Sequence, residues 1–197
     1  MRGSGRDRSK RVVDPRGRVD PPEIGSCGRG ATFGCVAGYM DLGDLISADG
    51  VVPALRTKDK KQALQELAIR SARLTGLAQR DVYEALLQRE RLGSTGVGDG
   101  IAIPHARIAG LRTISCLVAR LAEPIAFDAP DGAPVDLIFV LLAPEDAGAD
   151  HLKALARIAR LLREPEAASR LRAARDVPAI LAILKSDDPA RRMPLAG

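Results

Sequence analysis

One of the chain's two histidines, His105, stands near the end of the stretch LGSTGVGDGIAIPHARI, residues 92–108. Imidazole is largely neutral near pH 7 and can act as a nucleophile, one ring nitrogen attacking while the other is held by a hydrogen bond. A phosphoryl group placed on nitrogen leaves again readily, so a histidine suits a carrier of phosphate. Gly93, Gly96, Gly98 and Gly100 lie just ahead of it. A bound phosphate needs backbone N–H groups converging on one concavity, and glycine allows this by tolerating positive φ and close approach. Gly96, Gly98 and Gly100 are therefore candidate cradle residues, with Ser94 and Thr95 as hydroxyl donors. No G-K-[ST] follows, as a nucleoside-triphosphate loop requires, and the G-x-G-x-G spacing lacks the dinucleotide pattern, so no nucleotide cofactor is expected. A flexible surface turn carries the same glycines, and a histidine bonded only to its neighbours is the plain structural alternative.

The elements around the loop follow from periodicity. Asp59 with Gln62 resembles a capping box, and Leu64, Leu67 and Ala68 share one face, predicting a helix over 59–75 with Gly76 near its end. Val82, Ala85 and Leu86 predict a second helix over 79–89, so the glycine-rich segment comes directly off a helix whose last residue is Arg89. Strands are expected at 101–103, 113–121 and 135–143, the last apolar on both faces and closed by Pro144, with a turn at 130–132. Pro104 pushes Ile103 into extended geometry, which sets His105 at a stiffened strand end. Beyond Ala143 the pattern is helical: Asp150 as cap for 151–163, then 165–174, then 177–185 capped by Asp176. Helices before, between and after strands predict an α/β sandwich with a mixed sheet flanked on both faces.

The 197 residues suit one domain plus a tail, and the net charge of +5 is unevenly spread. Residues 1–39 carry 8 Lys/Arg against 4 Asp/Glu, leaving 22 against 21 elsewhere. That Gly-, Pro- and Arg-rich tail has no sustained apolar period and is expected to be disordered; a start at Met40 is a second reading of the same boundary. Without interleaved aromatics the tail does not argue for a nucleic-acid partner. No apolar run reaches about 18 residues, so no membrane insertion is expected, and the chain reads as cytoplasmic. Cys27, Cys35 and Cys116 lack C-x-x-C spacing, and with two histidines no metal site is expected.

The string RERLGSTGVGDGIAIPH, residues 89–105, is closely similar to the signature of the phosphotransferase-system enzyme IIA domains of the fructose, mannitol and nitrogen-regulatory type. A second family-like segment is PIAFDAPDGAPVDLIFVLLAP, residues 124–144, and the opening MDLGDLISADGVVPALRTKDKKQALQELA looks most like the nitrogen-regulatory branch. The resemblance covers about residues 40–186, followed by a short C-terminal tail over 187–197. It implies the type 2 enzyme IIA fold and a phosphocarrier without metal or nucleotide, in which His105 accepts a phosphoryl group from an HPr-like protein. It also implies that the guanidinium of Arg89 pairs with phosphate oxygens and that His151, the family's second histidine, bonds the phosphoryl group or orients His105. Arg89 as an exposed last-turn arginine, and His151 as decoration of a first helical turn, are the structural alternatives. In that family the phosphorylation state signals to targets that include sensor kinases and potassium transporters. The alternative within the same chemistry is a free-standing sugar-specific enzyme IIA that passes phosphate to a IIB domain. A histidine-based hydrolase would need an activating acid, for which Asp99 is the loop's sole candidate.

Overall fold

The structure, a computed structural model, describes residues 42–186. The basic tail over 1–39, a start at Met40 and the C-terminal tail over 187–197 lie outside the described residues. The chain runs α1 (Leu42–Leu45), a 3-10 turn (Ala48–Gly50), β1 (Val51–Leu55), α2 (Lys60–Thr75), α3 (Gln79–Arg91), β2 (Gly96–Gly98), β3 (Ile101–Ala102), β4 (His105–Ile108), β5 (Ser115–Ile125), β6 (Val135–Pro144), α4 (Gly148–Arg163), α5 (Pro165–Ala173) and α6 (Val177–Ser186).

The sheet is built around β6, whose sequence VDLIFVLLAP is buried throughout except at Asp136. On one side β5 pairs with it antiparallel, from Ser115 opposite Leu142 to Ile125 opposite Val135. On the other side β3 and β4 both run parallel to it, Ile101 opposite Leu137 and His105 opposite Leu141. β1 lies parallel to β5 at one edge, and β2 antiparallel to β3 at the other. The sheet is therefore mixed, as the alternation of helices and strands predicts.

Side chains along a strand alternate between faces, and β6 divides accordingly. Ile138, Val140 and Leu142 enter a core with Leu64, Leu67, Val82 and Leu86 of α2 and α3. Leu137, Phe139 and Leu141 enter the opposite core with Ile158, Leu161, Leu171, Ile180 and Leu184 of α4, α5 and α6. Both faces of the sheet are thus covered by helices, which is why β6 reads as continuous apolar sequence.

The helix boundaries show which local signals act. Asp59 Oδ1 accepts the backbone N–H of Gln62 at 2.8 Å, and Gln62 returns the contact by accepting the N–H of Lys58 at 2.8 Å. Gly76 closes α2 with a left-handed φ of 74°. Asp176 caps α6 by accepting the N–H of Ala179 at 2.8 Å. Asp150 does not cap α4: the helix begins earlier, at Gly148, and the Asp150 carboxylate pairs instead with Lys153 one turn on, at 2.9 Å. α3 continues past the expected Arg89 to Arg91. β5 starts two residues later than expected and runs on to Ile125. Three strands were not expected from the sequence, namely β1, which contains Pro53, and the short β2 and β4. Among the described residues no helix is long and apolar enough to cross a membrane.

Candidate functional site

Pro104 explains why β3 and β4 are separate strands on the same neighbour. It has no N–H for the ladder, but its carbonyl accepts the N–H of Leu141 at 2.9 Å, so the chain stays on β6 across the break. His105 then opens β4, half-buried, opposite Leu141 in the carboxyl-terminal half of β6.

Both nitrogens of His105 are engaged, in opposite senses. Nδ1 lies 2.8 Å from the carbonyl oxygen of Ile103, which can only accept, so Nδ1 carries the proton. Nε2 accepts from Nε–H of Arg89 at 3.0 Å and therefore presents its lone pair. Arg89 is held at a second point, donating from its guanidinium to the carbonyl of Gly93 at 2.9 Å. Burial pushes the His105 pKa below its ordinary value, the Arg89 cation adds to that, and the Ile103 carbonyl and Glu90 oppose it. The ring is kept neutral, with its Nε2 lone pair bonded to the Arg89 guanidinium.

His151 arrives from the first turn of α4 and packs edge-on against His105, ring centroids 5.7 Å apart and planes at 81°. It is buried, and among the described residues neither ring nitrogen has a hydrogen-bond partner. Burial depresses its pKa too, reinforced by His105 and Arg107. The His151 imidazole is thus a buried polar group without a partner, packed against His105.

Arg89, His105 and His151 thus meet at one concavity of about 650 Å³, completed by Arg91, Arg107 and the apolar surfaces of Ala85, Leu92, Ala106, Leu152 and Leu155. Ser94, Thr95, Gly96, Gly98 and Gly100 do not line it, and each has another task. The Ser94 hydroxyl donates to the carbonyl of Phe127 at 2.8 Å. The Thr95 hydroxyl donates to Glu90, as does its N–H at 3.0 Å. A Cβ at Gly96 would fall 2.9 Å from Ala129. Gly98 and Gly100 have φ of 95° and 74° around Asp99, itself at 54°, and build the turn from β2 to β3. That turn is pinned from outside: Asp131 accepts the N–H of Asp99 at 2.8 Å, and Arg172 grips the carbonyl of Asp99 and the carboxylate of Asp136. The Ser94 and Thr95 hydroxyls and the N–H groups of Thr95 and Gly96 are thus engaged within the protein, and none of the five residues lines the concavity. Asp99, the acid a hydrolase would require, is absent from the concavity as well.

Sequence reasoning missed Glu90, a carboxylate only 8% exposed in the last turn of α3. Its signal is its place beside Arg89; its partners, Thr95 and Lys60, come together only in three dimensions. Among the described residues no group of three or more His, Cys, Asp or Glu side chains is placed to hold a metal ion. Cys116 is buried, which pushes its thiol up to about 12.

The chain has counterparts among known proteins. The chain is 58% identical to the nitrogen regulatory protein of Bradyrhizobium diazoefficiens over 145 residues, 74% of this chain and 95% of that one. The crystal structure of nitrogen regulatory protein IIA-Ntr from Neisseria meningitidis superposes with a TM-score of 0.70 at 38% identity, covering 73% of this chain and 98% of that one. The mannitol IIA of Escherichia coli shares the fold, with a TM-score of 0.62 at 18% identity over 71% of this chain and 98% of that one. Residues 44–187 match the family described as phosphoenolpyruvate-dependent sugar phosphotransferase system, EIIA 2, so the glycine-rich hairpin and its histidine sit in a fold of known kind and the chain belongs to that family.

Proposed function

We propose that this protein is a cytoplasmic regulatory phosphocarrier of a nitrogen-type phosphotransferase system, taking a phosphoryl group on His105 from an HPr-like protein and signalling by its phosphorylation state. The observation that carries this reading is the opposed pair of hydrogen bonds on His105, proton on Nδ1 toward Ile103 and lone pair on Nε2 toward Arg89.

In the transfer, Nε2 attacks the phosphorus of the donor's phosphohistidine in line. The new N–P bond forms as the donor's N–P bond breaks, and the electron pair of the broken bond returns to the donor imidazole. Nδ1 keeps its proton throughout, and the Ile103 carbonyl offsets the positive charge that the ring acquires. Arg89 turns its N–H groups from Nε2 to the phosphoryl oxygens, where a planar guanidinium matches their geometry. His151 supplies a further donor from the side. Catalysis here is positioning and charge stabilisation. The added charge of about one and a half to two units, by analogy with other phospho-residues, is enough to favour one docking partner over another. The names of the similar proteins support the nitrogen-regulatory branch over a sugar-specific enzyme IIA.

The test is phosphorylation by a phosphoenolpyruvate-fed carrier cascade. Acid-labile phosphate is expected on the wild-type protein and none on His105→Ala, with His151→Ala slowed but still labelled. Label surviving His105→Ala would overturn the mechanism. Rapid loss of phosphate to a fructose or mannitol IIB protein would replace the regulatory reading with the sugar-transport one.

A further inference from the structure

The two halves of the site are joined by a closed chain of contacts that runs through Thr95. On one side its N–H lies 3.0 Å and 3.2 Å from the two Glu90 carboxylate oxygens, and its hydroxyl donates to the same carboxylate. Glu90 directly follows Arg89 in α3. On the other side the Thr95 carbonyl accepts the N–H of Ile103 at 2.9 Å, and the Ile103 carbonyl holds Nδ1 of His105. The chain closes where Arg89 meets Nε2 of His105.

Between Glu90 and Thr95 lies Gly93, whose carbonyl anchors the Arg89 guanidinium and whose φ of 149° only glycine adopts without strain. The aim of that carbonyl depends on how the six-residue turn is closed, and the Glu90–Thr95 contact is the closure. Glu90 is itself fixed from behind: Lys60 of α2 pairs with it at 2.7 Å, bridges to Asp128 at 3.0 Å and rests 4.9 Å from the centre of the Phe127 ring.

We infer that Glu90 and Thr95 form a positioning clamp that holds Arg89 and His105 in register for phosphoryl transfer. Neither touches the transferred group. The clamp fixes both the carbonyl that steers Arg89 and the carbonyl that sets the His105 tautomer. It thereby accounts for a threonine and a buried carboxylate that would otherwise be an unexplained polar knot beside the site. The inference rests on the phosphocarrier reading for its kinetic consequence, but its geometric consequence does not.

Thr95→Val keeps the volume and the backbone N–H and removes the hydroxyl; Thr95→Ser keeps the hydroxyl. Glu90→Gln is the second variant, should the first fail to fold. With a phosphoenolpyruvate-fed HPr-like donor, Thr95→Val and Glu90→Gln are expected to lower the maximal transfer rate about tenfold, as modest misplacement of reacting groups does. The half-saturating donor concentration should stay unchanged, and Thr95→Ser should recover most of the rate. Independently of any donor, the imidazole 15N shifts of His105 should report a single Nδ1–H tautomer in wild type and a tautomer mixture in Thr95→Val and Glu90→Gln. Wild-type rates together with unmoved 15N shifts in a folded Thr95→Val or Glu90→Gln protein would overturn the clamp. If wild type takes no phosphate at all, the phosphocarrier reading fails, and the 15N comparison still decides the clamp.

Discussion

His105 is a base whose surroundings work against its own protonation. Burial and Arg89 lower its pKa from the ordinary 6.5, and burial lowers that of His151 in the same direction. The unfolded chain therefore takes up protons before the folded one as pH falls through about 6.5. The stability that these neutral rings contribute is complete above that value and declines below it. The same shift keeps the Nε2 lone pair free in neutral solution. Phosphoryl acceptance is expected to be flat from about pH 8 to about pH 6.5 and to fall only below that, read as initial rates against pH. Arg89→Ala should raise the His105 titration midpoint in an NMR titration, since both the cation and its cover are removed. It should also slow acceptance by about a hundredfold, the usual effect of losing one charge-stabilising donor. An unmoved midpoint would show that Arg89 does not govern this ring. His105, Arg89 and His151 were legible because the family string and the second histidine mark them in one dimension. Thr95 was legible as a hydroxyl beside glycines, but its hydrogen bonds to the buried Glu90 carboxylate, five residues back across a turn, were not.

At the scale of elements, long periodic segments were readable and short ones were not. α2 carries its own start and stop in Asp59 and Gly76, and β6 its uninterrupted apolar run. β1 was hidden by Pro53, which is tolerated because this strand lies at the sheet edge. β2 and β4 are three and four residues long, too short for a period to show, and they exist because β3 and β6 offer partners. The glycines of the hairpin look like flexibility in the sequence and act as close packing in the fold. Gly96 is the clearest case: its φ is unremarkable, yet a Cβ would lie 2.9 Å from both Cα and Cβ of Ala129. Gly96→Ala must push the hairpin away from the β5–β6 connection. A loss of about 1–3 kcal/mol is expected from such overpacking, read as a lower urea midpoint at unchanged slope. If Gly96→Ala unfolds at the wild-type midpoint, the hairpin is loose enough to serve as a flexible loop after all.

For the whole molecule, the sheet's two helical layers leave His105 at a rim, where helices α3 and α4 flank β4 without closing over it. The resulting concavity is open and partly apolar. Leu92 at the end of α3 is 86% exposed and Leu152 in the first turn of α4 is 63% exposed, one from each wall. Large aliphatic side chains this exposed add little to folding, and here they line the same concavity as His105. Under the proposed function, a protein donor bringing its own phosphohistidine to Nε2 would cover them. Burying such a side chain at an interface contributes about 1.5–3 kcal/mol at most. Leu92→Ser and Leu152→Ser are therefore expected to leave the urea midpoint within about 0.5 kcal/mol of wild type, as surface changes do. Each should raise the half-saturating concentration of an HPr-like donor severalfold, while the maximal rate at saturating donor is retained. This is the reverse of the pattern expected of Thr95→Val, and the two sets of variants separate docking from alignment. Donor titrations that superpose on wild type for both leucine variants would mean that the donor approaches His105 from another side.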